Sequence, residues 1–491
     1  MKKTSISAFL AISVLASLIC GCAEENNDVT TKNDSITISA VTETVYLSDT
    51  EAMLARYEQR DLSGMPITIL TTNSLNETIA VRTAPETDAI GDLVNDALFE
   101  RDRLLEEHFG TTITWSMASE DKALFDLFKK EVLAGENSFQ FMIGSVKLGC
   151  LPAFNGGMCL NLSDLPHIDL SQVWWSQNIM GNFVYDDAYY MLIGEFSPRN
   201  MLSGNMLMFN LREFADRDLP SPYDMVRDGS WTYDAFKEII RGTAADLNGD
   251  GKMKTGDFYG MNCDSTTAHS FYYGMGLTLT DHQLQPMVTG DRQVSVLEDL
   301  RTWYKSSDID AKSFTTDTYA PNESFMNGNA LFNCMCVIDL STFRDSDTDY
   351  GIVPLPKYDE SQKNYVSLGN VYAMAGLCVP LSADPESLDN LGLFIETMTA
   401  LSHVKSMPEA YESTLLARET RDEESVEMLQ LITESLTLDF GYLYDIGGIG
   451  SLIRTCVNGD KPVVSSFEKI MNEFEDQRAD LIALFGGEAE T

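Results

Sequence analysis

The stretch "KALFDLFKKEVLAGENSFQFMIGS", Lys122–Ser145, decides the fold. Its first half has the apolar spacing of a helix, Gly135 stops that helix, and Phe139–Ile143 reads as a short apolar strand. The preceding segments repeat the order. "PITILTTNS", Pro66–Ser74, is rich in β-branched residues and runs as a strand into a polar loop. In "ALFERDRLLEEHFGTTITW", Leu98, Leu104, Leu105 and Phe109 fall at helical spacing, Gly110 ends the helix and "TTITW" begins a strand. Strand, helix, strand, helix, strand predicts parallel α/β units. Ligands of such sheets sit at the carboxyl ends of the strands, here Thr71–Ser74 and Gly144–Ser145.

The remaining chain is also mixed α/β. Asp186 and Asp187 predict a hairpin turn before "AYYMLIGEF". Thr232 predicts the cap of a helix over Tyr233–Arg241. Pro354 and Pro356 place "DYGIVPLPKYD" at a sheet edge or crossover, and "YVSLGNVYAMAGLCVP" reads as a strand pair. "CMC", Cys334–Cys336, lies in an apolar run that predicts a buried strand. "ESLDNLGLFIETMTAL" and "EESVEMLQLITESL" are amphipathic helices, the second with Val426, Leu429, Ile432 and Leu436 on one stripe. Phe467, Ile470, Phe474, Leu481 and Phe485 form one face of a final helix that Gly486 ends.

The ends and the composition set the compartment. Lys2 and Lys3 precede an apolar run of about 14 residues, too short for a bilayer core that takes about 20. The run is that of a secretory signal. It closes in "LICGC", where Ile19, Cys20, Gly21 and Cys22 resemble a bacterial lipobox. That resemblance implies cleavage before Cys22 and diacylation of its thiol, anchoring the chain to a membrane surface without a spanning helix. Polar and acidic residues from Ala23 to about Pro66 suit a flexible tether. About 425 residues then remain, too many for one core, so two lobes are expected. The chain carries 75 acidic and 34 basic residues, a formal charge of −41. That charge argues against nucleic acid and against anionic lipid head groups as partners. Of nine cysteines, those left after Cys20 and Cys22 match no zinc spacing and fix no disulfide pairing.

In this order the segments resemble the extracellular solute-binding proteins of ABC importers, the large sugar-type family with lipoprotein members. The resemblance rests on the lipobox, "ITILTTNS", "LFKKEVLAGENSFQFMIGS", "LNLSDLP", "MLMFN", "GSWTYDAFKEII", "YGIVPLPK", "RDEESVEMLQLI" and "DFGYLYDIGG", which span nearly the whole chain. Gln140 stands where the family often has Asp, leaving a contact from that point open. The resemblance implies a two-lobed periplasmic-binding-protein-like fold (type II), with the solute in a cleft between lobes and two membrane permease subunits as partners. The expected division is a signal peptide over 1–21, a tether over 22–65, an N-terminal lobe from 66–184 and 376–436, and a C-terminal lobe from 185–375 and 437–487. A monomer is expected, on the outer face of the cell membrane.

A carbohydrate site needs aromatic rings for sugar faces and polar groups for hydroxyls. The candidates are Thr72 and Asn73 after the first strand, Trp174 and Trp175, Tyr272 and Tyr273, Asn370 and Tyr372, and Tyr442, Tyr444 and Asp445. Trp231 and Trp303 have helical settings and are assigned to packing. "DLNGDGKMKTGD" meets the pattern of a calcium loop. Asp246, Asn248, Asp250 and Asp257 would supply side-chain oxygens, Lys252 its carbonyl, and Gly251 the bend. One such loop, followed by strand rather than helix, predicts a structural Ca2+ clip and not a helix-pair switch. No nucleophile elbow or phosphate loop is present, and His108, His167, His269, His282 and His403 are scattered. No enzyme is expected. The alternatives are a sensor lipoprotein of the same fold and, behind it, a secreted glycoside-acting enzyme.

Overall fold

The computed structural model describes residues 49–486 except 76–81, 183, 255, 265, 311–319, 344–345, 417–422 and 460. The expected signal and Cys22 lie outside the described residues. The body begins earlier than expected. Helix α1 (Asp49–Leu54) buries Met53, and the Leu62 amide donates to the Phe109 carbonyl at 2.7 Å. Residues 49–65, assigned from sequence to the tether, therefore belong to the folded body.

The first lobe follows the predicted order: β1 (Ile67–Thr72), α2 (Leu93–Phe109), β2 (Ile113–Ala118), α3 (Asp121–Ala134) and β3 (Phe141–Ser145). Local signals place its helices. Asp92 caps α2 by accepting from the Asn95 amide, and Gly110 and Gly135 end α2 and α3 in the left-handed conformation that costs glycine least. β1 is paired in parallel with both β2 and β3. The third strand starts two residues later than predicted because Gln140 is used on β1: its Oε1 accepts from the Thr68 amide at 2.6 Å and its own amide donates to the Thr68 carbonyl at 2.9 Å.

The chain leaves this lobe through a tight turn, Pro198–Ser203. The second lobe holds β4 (Asn205–Asn210), α4 (Tyr233–Ile240), β5 (Tyr259–Asn262), β6 (Ile309–Asp310), β7 (Ala330–Cys336) and β8 (Tyr350–Val353). Its sheet order is β6-β5-β7-β4-β8. The proline-flanked β8 is thus an edge strand, as predicted. Thr232 caps α4 through the Ala235 amide. Trp231 and Trp303 are buried with Phe236, Phe271 and Phe332, so both do serve packing.

The rest of the chain alternates between lobes. β9 (Ser367–Leu368) and β10 (Ala375–Cys378) are both strands, but they do not pair with each other. β10 joins the first sheet antiparallel to β3, while β9 pairs with β11 (Leu436–Thr437). Long helix α5 (Leu388–Leu416) packs along α2, α6 (Glu423–Glu434) packs on β8, and α7 (Val463–Leu484) closes the chain. Two expected boundaries therefore move. Leu192 and Leu377 exchange backbone bonds of 2.9 Å, so the Asp186–Asp187 hairpin and the strand after it extend the first sheet instead of opening the second lobe. Helix α6 goes with the second lobe, because its apolar stripe covers β8. Among the described residues the lobes are joined at Pro198–Ser203 and at 369–374. Near these joins Phe485, just past α7, lies 5.0 Å from Phe154 and 5.7 Å from both Tyr190 and Phe440.

Candidate functional site

The carboxyl ends of β1 and β3 meet the joins at Arg199. This side chain is 2% exposed; its Nη1 donates to the Leu75 carbonyl and its Nε to the Ala373 carbonyl, each at 3.2 Å. Burial pulls the guanidinium down to about 10, which still leaves it charged at neutral pH, and Asp339 and Asp121 push back. Asp121 opens α3. Burial raises its carboxyl, while the Ser74 hydroxyl, the Ser145 backbone and Arg199 oppose the rise. Asp339 lies in the turn that follows β7. Burial pushes it up to about 6; the Arg199 charge opposes this and Asp264 adds to it. Asp264 follows β5, with its Oδ1 accepting from the Thr266 and Thr267 amides at 2.8 Å.

Aromatic groups flank these charges. Asn370 donates its amide to the Ser203 carbonyl at 2.8 Å, and its Oδ1 accepts from the Tyr372 amide at 3.0 Å. Tyr372 is thereby held with its side chain outward, and the residue is 56% exposed. Tyr442 is half-buried, with its ring 5.7 Å from those of His269 and Tyr273. Burial raises its hydroxyl, and the charges of Tyr372, Cys336 and Asp264 act on it in the same direction. The joins therefore carry one guanidinium, three carboxylates contributed by both lobes, and two tyrosines. Such a floor offers many acceptors, a charged donor and rings.

No protein-family model and no curated protein matches the sequence. Solved structures do. A maltose-binding protein from Listeria monocytogenes, solved with maltose, superposes with a TM-score of 0.53 at 11% identity, over 84% of this chain and 97% of that one. A sugar transporter protein from Rhizobium etli in an open conformation gives 0.54 at 14%, over 85% and 99%. UspC from M. tuberculosis gives 0.56 at 10%, over 84% and 100%. This is the two-lobed fold of ABC solute-binding proteins. The constellation around Arg199 stands where the two lobes of that fold join.

The structure divides the sequence candidates. Thr72 and Asn73 stand at the carboxyl end of β1, beside Ser74 and Asp121, and Asn370, Tyr372 and Tyr442 gather at the joins. Trp174 and Trp175 do not belong there. Both are buried, and their Nε1 atoms donate at 3.0 Å to the two oxygens of Glu396. Tyr272 and Tyr273 are core residues of the second lobe, and the Tyr272 hydroxyl donates to the Thr278 carbonyl at 3.0 Å. Tyr444 packs against Phe440 and Phe154. Asp445, at φ 52°, accepts from the Ser451 amide and hydroxyl at 3.0 Å and so serves the following helix. In each case the side chain is used within the fold, to satisfy a buried partner, hold a following helix or fill the core.

Arg199, Asp121, Asp264 and Asp339 were missed. Arg199 had a signal: it is a lone cation in the otherwise uncharged "FSPRNMLSGN", in a chain short of cations. Lys147 was missed too. From the turn after β3 its Nζ donates to the Leu443 carbonyl at 2.6 Å, bridging to the second lobe, and burial pulls its pKa down.

The acidic loop is closed on itself. Asp246 accepts from the Gly249 and Gly251 amides at 2.8 and 2.7 Å, Asn248 from the Asp250 amide at 2.9 Å, and Asp250 from the Lys252 amide at 2.9 Å. Asp257, 1% exposed, accepts from the Leu247 amide at 3.1 Å and the Lys254 amide at 2.9 Å. Gly251 has φ 77°. Strand β5 follows, as expected. Among the described residues no cluster of three His, Cys, Asp or Glu side chains is gathered as a metal site. The seven described cysteines carry free thiols, six of them buried.

Proposed function

We propose that this chain is the solute-capturing component of an ABC importer, taking a carbohydrate, most simply an oligosaccharide, and presenting it to membrane permease subunits as a monomer. The observation that carries the reading is the Arg199 constellation at the joins of a two-lobed fold. Carboxylates and a guanidinium bond sugar hydroxyls, and Tyr372 and Tyr442 offer faces for the rings. Similar structures include proteins solved with maltose, maltotetraose and cycloalternan. These are binding proteins, and a binding role is the reading taken here over a glycoside-acting enzyme. Contacts made from both lobes favour the closed form, so the loaded protein differs in shape from the empty one.

A saccharide panel read by thermal shift should yield a ligand, and small-angle scattering should show a smaller radius with it. Tyr372→Ala should weaken that ligand by about tenfold, the worth of one stacking contact. Because Tyr372 is exposed, the free variant should keep wild-type stability within about 0.5 kcal/mol. A panel without a binder would defeat the carbohydrate assignment. Uptake lost in a deletion strain, and restored by the chain, would separate transport from sensing.

The same reading places the protein on the outer face of the cell membrane, cleaved before Cys22 and held by lipid on that thiol. Cys22→Ala should leave an uncleaved precursor or release protein to the medium; a cleaved variant still retained on the membrane would exclude this anchor. It also makes Asp246–Asp257 a structural calcium clip. Support comes from the ligand register, the bend at Gly251 and the Asp257 carboxylate folded back to the loop's start; Lys254, paired with Asp250, would yield its place to the ion. Asp246, Asn248, Asp250, Asp257 and the Lys252 carbonyl would hold the metal. A hundredfold excess of calcium over its dissociation constant stabilises by about 2.7 kcal/mol. Chelation should lower the melting temperature of wild type and not of Asp250→Ala; equal responses would reduce the loop to a turn.

A further inference from the structure

The segment that leads into the join at Pro198–Ser203 is tied to its surroundings by bonds of two kinds. Some do not titrate near neutral pH. The Glu195 amide donates to the Trp174 carbonyl at 2.9 Å, and the Phe196 carbonyl accepts from Arg101 Nη1 at 3.0 Å. Asn200, inside the join, donates from Nδ2 to the Gly194 carbonyl at 2.8 Å and to the Ala375 carbonyl at 2.9 Å. A shift at 194–196 is therefore passed on to the join, and to Arg199 within it. One further tie does titrate in that range. His403, on α5, places Nδ1 2.6 Å from Glu195 Oε2.

The two side chains are 26% and 24% exposed. Protons reach the pair without unfolding, and solvent screens it less than an open surface pair. Glu195 raises the imidazole above its ordinary 6.5, against burial and the Arg56 charge. Arg56 stands over the Trp174 ring at 5.2 Å, and that ring lies 6.2 Å from the imidazole. On the α2 side Arg101 donates to Ser402 Oγ at 3.1 Å, with its own charge met by Asp102 at 2.7 Å. Along α5 itself, Glu396 is turned to the tryptophans and Lys405 acts on Glu100.

We propose that the His403–Glu195 pair is a pH-sensitive rivet: it holds the approach to the Pro198–Ser203 join against α5 while His403 carries a proton, and loosens when the proton leaves. The sign follows from the rise on folding. The pair's stabilisation is full below the ordinary imidazole value and is lost as pH climbs through the raised one. A neutral imidazole keeps at most one ordinary bond to the carboxylate, in the tautomer with hydrogen on Nδ1, and gives up the ionic contribution. The rivet acts in the empty protein, so it does not depend on which solute the protein takes.

The test is hydrogen exchange of the full mature chain at about pH 6 and about pH 9, on either side of the imidazole range. Rates are divided by the intrinsic rate at each pH, so that only protection is compared. In wild type, peptides over 192–203 should lose about fivefold in protection at the higher pH, the upper end for a partly exposed ion pair. His403→Gln, which can still donate one bond but does not titrate, should show the lower protection at both pH values, and Glu195→Gln should do the same. A second readout reports the pair directly. In a proton NMR titration, the imidazole signal that disappears in His403→Gln should titrate above the ordinary value in wild type and fall back towards it in Glu195→Gln. Equal wild-type protection at the two pH values overturns the rivet. So does a fivefold loss that persists in His403→Gln, which assigns the effect to another group, or a His403 titration that Glu195→Gln leaves unchanged.

Discussion

Replacing Glu396 by leucine should lower the stability of the body by about 3–5 kcal/mol, because it leaves several buried donors without an acceptor. Glu396 lies on α5 and is 2% exposed. It accepts from Trp174 Nε1 and Trp175 Nε1 at 3.0 Å and from the Asp169 amide at 3.2 Å, with the Tyr57 hydroxyl at 3.5 Å. Leucine is close in volume, so the cavity contribution is small and the loss is that of the bonds. Glu396→Gln tests the direction of each bond. An amide has only one acceptor oxygen, so one indole N–H would face an NH2 group, and most of the loss should persist. Urea unfolding measures both variants. A leucine variant within about 0.5 kcal/mol of wild type would show that water replaces the carboxylate. The network also ties residues 49–60 to the first lobe, since Tyr57 bonds Glu396 and Arg60 pairs with Asp389. The same substitution should therefore raise proteolysis near Tyr57 before the body unfolds.

This network shows what a sequence can and cannot convey. Periodicity and glycine stops carry the parallel units of the first lobe, because they are local: Leu98, Leu105, Phe109 and Gly110 act within one helix. Paired tryptophans at Trp174 and Trp175 look like sugar platforms by composition. Their partner is 221 residues away in the chain for Trp175, and no local pattern announces it. The same reason explains the lobe boundaries. Leu192 belongs to the first sheet only because Leu377 returns to meet it, and α6 belongs to the second only because β8 offers an apolar face. Asn370, Tyr372 and Tyr442 could be placed at the joins, since they follow short strands or open short helices at crossover points. The charged groups around Arg199 come from four separate segments, and their common position is a product of the tertiary fold.

Asp339 should make the protein less stable at neutral pH than it would be without the charge. Its folded pKa is pushed up to about 6 from an ordinary 3.8, with burial as the main cause. A carboxyl raised on folding costs stability wherever the folded state must hold it ionised. The cost is full above pH 6. It shrinks as pH falls from 6 towards 3.8, where the folded state takes up a proton and the unfolded chain does not, and it is gone below that window. Asp339→Asn should thus stabilise by about 2–3 kcal/mol at pH 7.5 and by almost nothing at pH 3.5. Arg199 limits the gain, because the substitution also takes away a charge that compensates the buried guanidinium. A cost of this kind is retained where the charge serves the cleft. In the solute-binding reading, an ionised Asp339 accepts hydroxyls more strongly than a neutral amide does. Asn should then weaken the bound sugar by about tenfold, the worth of one charge-assisted bond. Wild-type affinity should fall as pH drops through 6, and the variant's should not. Melting curves at the two pH values and a fluorescence titration across them measure both effects. A variant that is more stable at pH 7.5 and binds as tightly as wild type would remove Asp339 from the solute site and leave it a buried acid with no ligand to hold.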